Sequence, residues 1–395
     1  MRKLSLFLLI PILLSFLSCK EKYNQQRSNE SIKFRTLPYK IGIEQNIRNI
    51  HSVNLSEAGT SIEYIVLETM PGSLIQNIDQ IAMSDSLIFI SNYKIFLLFN
   101  RNGGFIRQIG SWGRGPGEYS HINDFCIDTC NKRIYILDGW KVLEYDFNGN
   151  FTRQFIVPRY SSSFLIMDTG RFILYQFNFP LDSIDRKYSW YITDRNGNIE
   201  ESINNNYNRT KTPGMLIRKM PLYSFNNEVH FIEFGADTLF HFSVGYPEPY
   251  AIFNFGKLKM PYDFYIPAPE DRRILNKYLW LSTVQEDNRF IYFSTIMGIS
   301  DSSRCGIFDK KTFRTVFLKN NSFINDIDEG PSFWPLRVFN DTVLVSWIDG
   351  FKIFEYINKK LSDKSGFKDR MNREKFETLK GRLNETSNPV LMIVR

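Results

Sequence analysis

One pattern recurs six times along the chain and limits what it can fold into. A short polar turn leads into four mostly apolar residues: "SDSLIFI", "CNKRIYIL", "DTGRFILY", "NNEVHFI", "DNRFIYF" and "NDTVLVS". The apolar stretches start at Leu87, Ile134, Phe172, Val229, Phe290 and Val343, with spacings of 47, 38, 57, 61 and 53 residues. Such intervals suit a supersecondary unit of four short strands with variable loops. After each apolar stretch comes a further strand, such as "IFLLFN", "KVLEYD" or "WYITD", then a turn and a fourth strand, such as "FIRQIG" or "FTRQFIV". Asn102-Gly103, Asn148-Gly149 and Asn196-Gly197 mark equivalent corners between third and fourth strands, and Asn-Gly predicts two-residue hairpins with positive φ at both positions. Aromatic residues make up 15% of the chain, which favours half-buried pleated surfaces.

Six four-stranded antiparallel units predict an all-β fold, a six-bladed β-propeller, because closing the ring removes the edges that a solenoid would leave bare. Closure requires the sixth unit to find its missing strands. After "TVLVSWID", Phe351, Phe354, Ile357 and Leu361 recur at helical spacing, and a second charged helix is expected from Lys368 to Leu383. The last blade therefore carries a short C-terminal helical insertion at about 351–384. Strand 389–395 then supplies its third strand and strand 61–68 its outermost one. The alternative makes "FKIFEY" the third strand.

The N-terminus "MRKLSLFLLIPILLSFLSCK" has two cations and then an apolar run broken by Pro11, too short for a stable span. It reads as a signal peptide over 1–18, with Cys19 as the lipidation site. A tether follows over 19–40, and the propeller fills 41–395. A lipid on Cys19 makes the membrane a partner, at about 0.8 kcal/mol per buried methylene. The net charge of +7 is spread along the chain, so no nucleic acid is expected. Cys126 and Cys130 are four apart, a spacing poorly placed for a disulfide, and buried thiols are expected.

"GRGPGEY", Gly113 to Tyr119, is not a phosphate loop, since that needs Gly-Lys-Ser/Thr entering a helix. It is expected to carry the chain from the rim of one blade to the centre of the next. Gly113, Gly115 and Gly117 supply conformational freedom, Pro116 stiffness, and Tyr119 a wedge between blades. Propeller ligands sit where crossings meet inner strands, which marks Arg114, Glu118, His121 and Asp124 for the second blade. Arg159 and Tyr160 enter the third; Arg218, Lys219 and Tyr223 the fourth; Asp328, Trp334 and Arg337 the sixth. That mixture of cations, acids and aromatics fits a peptide, glycan or protein partner on one face. Glu118, Asp124 and His121 are also the candidate acid–base set, though catalysis requires them around one atom. No catalytic motif, cofactor or metal site is expected: His230 and His241 fall within strands and His51 precedes the propeller.

"IRQIGSWGRGPGEYSHINDFCID" resembles the NHL-repeat signature. With the lipoprotein signal, "DIDEGPSFWP" and the terminal "NPVLMIV", the chain resembles the six-bladed β-propeller lipoproteins of Bacteroidetes over nearly its whole mature length. That resemblance implies the propeller fold and an envelope location, with the outer membrane expected. NHL-type propellers include enzymes, so it also admits a lyase or hydrolase at the channel mouth.

Overall fold

The computed structural model describes residues 37–395, apart from 168–169, 177–187, 205–220, 234, 243–245, 262–268, 299–302 and 364–365. The signal peptide, Cys19, most of the tether, Arg218 and Lys219 lie outside the described residues.

The repeat becomes six small sheets in a ring. Blade 1 is Gln80–Met83, Leu87–Ser91, Phe96–Asn100 and Phe105–Gln108, from the centre outward. Blade 2 is Asp124–Asp128, Arg133–Asp138, Lys141–Asp146 and Phe151–Ile156, and blade 3 is Ser161–Ile166, Phe172–Gln176, Tyr188–Thr193 and Ile199–Asn204. Blade 4 holds Leu222–Phe225, Glu228–Phe231, Thr238–Phe242 and Pro247–Asn254, and blade 5 holds Leu279–Glu286, Phe290–Met297, Ser303–Asp309 and Arg314–Leu318. In blade 6, Arg337–Phe339 and Val343–Ile348 are joined by Val390–Val394, and Ile62–Val66 is outermost. The C-terminal strand and a strand from the N-terminal part of the chain thus close one sheet.

The helical insertion is there, as α1 (Gly350–Ser362) and α2 (Arg370–Lys380). Asp349 caps α1 by accepting from the N–H groups of Phe351 and Lys352, and Asp369 caps α2 by accepting from Met371. On α1 the buried side chains are Ile353 and Ile357, while Phe351 is exposed. No helix among the described residues is long and apolar enough to cross a membrane.

The Asn-Gly corners are equivalent but not of the expected type. Gly103, Gly149 and Gly197 have φ of 88°, 83° and 85°, while positive φ is not adopted by the asparagines before them. In each corner an acceptor at the strand end (Asn100, Asp146 or Asp194) takes the N–H four residues on. The result is a longer loop with a glycine bulge rather than a two-residue turn. Each corner glycine packs on the preceding blade. A Cβ would lie 2.2 Å from the Val66 carbonyl at Gly103, and 2.0 Å from the Ile156 carbonyl at Gly197.

Residues 37–66 form a belt. Tyr39–Gly42 adds in parallel to the outer strand of blade 4, Ile50–His51 adds to that of blade 5, and the chain then enters blade 6. The first of these strands begins inside the segment read as tether. Cys126 and Cys305 are buried, and burial pushes both thiols up, Cys305 to about 12. Cys130 is exposed, against expectation, because it sits on the turn between the first two strands of blade 2; no disulfide joins these three.

Candidate binding face at the blade crossings

Antiparallel blades have two unlike ends. The turn between second and third strands shares an end with the crossing that leaves the fourth strand for the next blade. On blades 1 to 3 this end carries four exposed rings. Tyr93 lies on the second turn of blade 1, Trp112 on the crossing to blade 2, Trp140 on the second turn of blade 2, and Tyr160 on the crossing to blade 3. They are 56%, 65%, 51% and 48% exposed.

Contacts tie these loops together. The Lys94 ammonium lies 5.7 Å from the Trp112 ring centre, and Tyr93 stacks on His121 at 5.5 Å. The Trp112 indole donates to the Ser120 carbonyl at 2.8 Å. The Asn123 side chain accepts from Gly139 N–H at 2.7 Å, beside Trp140, whose carbonyl accepts from Val157 at the start of the next crossing. Lys94, Arg114 and Arg159 are exposed cations on the same loops.

The crossing itself is held from within. Glu118 folds back and accepts from Gly115 N–H at 2.7 Å. Tyr119 is fully buried between blades 1 and 2, donates to the Ile109 carbonyl, and is pushed up to about 12 by burial. Tyr145 donates to the Gly117 carbonyl at 2.8 Å. Of the three glycines only Gly117 has a positive φ, 72°. Gly113 serves by its lack of bulk, since a Cβ there would lie 2.0 Å from the Glu118 carboxylate.

Ser120, His121 and Asp138 form a cluster that sequence reasoning passed over. Ser120 Oγ donates to Asp138 Oδ1 at 2.7 Å, and His121 Nδ1 lies 3.0 Å from Ser120 Oγ and 3.2 Å from the same carboxylate oxygen. Lys141 neutralises Asp138 at 3.3 Å. A proton relay uses opposite nitrogens of the imidazole for serine and aspartate. Here both partners meet one nitrogen, so the trio pins the loop.

Nearer the axis, Asp124 is buried and accepts from Phe125 N–H at 2.8 Å and from Phe164 N–H of blade 3 at 2.9 Å. Gln80 does the same from blade 1 to Phe125, and Gln285 from blade 5 to Val338. These side chains clasp neighbouring inner strands. Arg337 is half-buried on the inner strand of blade 6; its surroundings push the guanidinium below its ordinary value by desolvation, and Asp124 opposes the shift.

The structure therefore brings Arg114, His121, Arg159 and Tyr160 to one face and places Asp124 and Arg337 deeper. Glu118, His121 and Asp124 bond to separate partners and do not surround a common point. Three further candidates lie inside the protein. Tyr223 is buried and donates to Glu286; Trp334 packs on Phe323 and Tyr292; Asp328 accepts from Tyr64 and Lys375 beside α2. A cleft of about 490 Å³ sits on the outer rim between blades 6 and 1, lined by Glu68, Thr69, Asn102, Gly103 and Arg382, and none of the candidates reaches it. Among the described residues, the grouping that could hold a metal lies on blade 4, at Glu228, His230 and His241.

A family model described as a domain of unknown function (DUF4934) matches residues 38–395. Among curated proteins, none matches the chain. A structure from Bacteroides fragilis, of a protein whose name classes it provisionally as exported, covers 90% of this chain and 99% of its own at 19% identity and a TM-score of 0.66. A DUF4221 family member from Bacteroides vulgatus covers 65% of this chain and 84% of its own at 12% identity, with a TM-score of 0.48. At 19% identity the first likeness is one of fold.

Proposed function

The chain belongs to the DUF4934 family, and from that premise we propose an exported envelope lipoprotein, lipid-anchored at Cys19 in the outer membrane, whose propeller binds an acidic polypeptide partner on its crossing face. The set of Tyr93, Trp112, Trp140 and Tyr160 carries this reading. Large exposed rings grouped on one face are costly to leave in water, and Trp, Tyr and Arg are the residue types that dominate binding energy at protein interfaces. Lys94, Arg114 and Arg159 around the rings favour carboxylates and speed encounter. The fixed loops beneath present the rings in a preformed arrangement, so little order is lost on binding. The export signal and the exported class named for the Bacteroides fragilis relative support the location.

Photo-crosslinkers at positions 112 and 140 test the face in cells. They are expected to give adducts to one defined polypeptide, lost in a Tyr93→Ala/Tyr160→Ala background, with none from position 246, an exposed tyrosine on the third turn of blade 4. Adducts to glycan, or equal adducts from position 246, would overturn it. Cys19→Ser is expected to release the protein from the membrane, and intact mass of the mature N-terminus reads the lipid directly.

A further inference from the structure

On blade 4, Glu228 and His230 are two apart on one strand, so both side chains point to the same side of the sheet. His241 is paired directly opposite His230 on the next strand. One donor atom from each of the three lies within 4.8 Å of the others. We propose that Glu228, His230 and His241 bind one divalent transition-metal ion of the zinc type, in the space between blades 4 and 5.

His230 is the second, independent pointer to a ligand. It is fully buried, and neither ring nitrogen has a hydrogen-bond partner. A neutral imidazole always carries one N–H and one lone pair, and leaving either unmet in the interior is costly. Its Nδ1 lies 3.1 Å from Glu286 of blade 5 but out of line for a hydrogen bond. A small rotation lets Nδ1–H donate to Glu286 and leaves the Nε2 lone pair as the ligand. A carboxylate behind a histidine ligand orients the ring and raises its basicity. Glu286 suits that role, because its charge is already met by Lys310 at 2.8 Å and by the Tyr223 and Tyr250 hydroxyls at 2.8 and 2.6 Å. Tyr223 stacks on the His230 ring at 5.2 Å and Tyr250 meets it edge-on at 4.4 Å.

Two imidazoles and one carboxylate are a donor set for zinc, which takes ligands at about 2.0–2.2 Å in a tetrahedron. His241 Nδ1 and Glu228 Oε2 are now 2.7 Å apart, sharing a proton. An ion replacing that proton spreads them to roughly 3.3 Å, the edge of such a tetrahedron. Glu228 can make that move, since its side chain is about a third exposed, which also opens a path for the ion. The fourth position is left to water.

The test uses the purified full chain, stripped with chelator and titrated with Co²⁺ and then Zn²⁺ alone. One equivalent of Co²⁺ is expected per chain, with the visible absorption of a tetrahedral nitrogen and oxygen site, displaced by one equivalent of Zn²⁺. Glu228→Gln keeps the size of a partly exposed side chain, and should weaken binding more than tenfold. His241→Gln should abolish the tetrahedral spectrum, while His51→Gln should leave it intact. Absence of stoichiometric uptake, or uptake unchanged in Glu228→Gln, would overturn the proposal; if His241→Gln fails to fold, Glu228→Gln alone decides.

Discussion

Lys310 Nζ lies 2.8 Å from the Glu286 carboxylate, with both groups sealed between blades 4 and 5 and the ammonium 4.0 Å from the centre of the Phe225 ring. The carboxylate is fully buried, which alone would raise its pKa, yet it is held below the ordinary value chiefly by Lys310. Removing one partner of such a pair leaves an uncompensated buried charge. Lys310→Met is therefore expected to cost about 3–5 kcal/mol in denaturant unfolding at neutral pH. A loss under 1 kcal/mol would mean that the two hydroxyls on Glu286 suffice.

Tyr119 and Gly117 give a graded prediction for the blade crossing. Tyr119→Phe removes one hydrogen bond to Ile109 and should cost about 1 kcal/mol. Tyr119→Ala empties a site between two blades and should cost about 3–5 kcal/mol. Gly117→Ala forces a side chain at φ 72° with a Cβ 2.9 Å from the Phe151 ring, and should cost more than about 1 kcal/mol. Equal midpoints for Tyr119→Phe and Tyr119→Ala would remove the wedge.

The repeat was legible because a propeller blade is written locally: polar turn, apolar strand, corner glycine. What it did not report were side-chain reach within a turn and distance across the ring. The corner type was misread because Asn100, Asp146 and Asp194 reach forward to a backbone N–H, which a dipeptide motif does not report. The belt strands at Tyr39–Gly42 and Ile50–His51 are short edge additions whose partners lie more than 200 residues away. Tyr223, Trp334 and Asp328 lie at the crossings or strand starts that the sequence predicts, but chain position says nothing of radial depth. The exposed rings were partly within reach, since Trp140 follows a turn glycine and Tyr93 a turn asparagine. His230 and His241 stand directly opposite each other on neighbouring strands, a pairing that strand position alone does not report.

Glu329 ties both insertion helices to the crossing into blade 6. Its carbonyl accepts from Tyr356 on α1, and its carboxylate accepts from the N–H groups of Lys368 and Asp369 at the start of α2. The Lys368 N–H is the main reason its pKa falls below 4.5, against a smaller desolvation effect. A folded-state pKa below the unfolded one means stability that is present above about pH 4.5 and lost as pH falls through the lower value. Hydrogen exchange over residues 366–380 should therefore lose protection on acidification, ahead of the blades. Glu329→Gln should show reduced protection already at pH 7, and the two proteins should converge at low pH. Parallel pH profiles would place the joint elsewhere.

Val390–Val394 is the strand on which ring closure depends. It pairs with Val343–Ile348 on one side and Ile62–Val66 on the other, and all five of its side chains are buried. Beyond it, the Arg395 carbonyl accepts from Thr60 and Ser61 N–H, so the last residue fixes the outermost strand of the blade. Five buried apolar side chains at about 1.5–3 kcal/mol each amount to roughly 10 kcal/mol, comparable with the whole stability of a typical domain. Truncation also strips two strand edges at once and leaves both bare. A chain ending at Pro389 should lose its cooperative unfolding transition and its near-ultraviolet circular dichroism, and should elute as aggregate. A monomeric truncated chain with a native transition would show that the insertion helices hold the ring without the terminal strand.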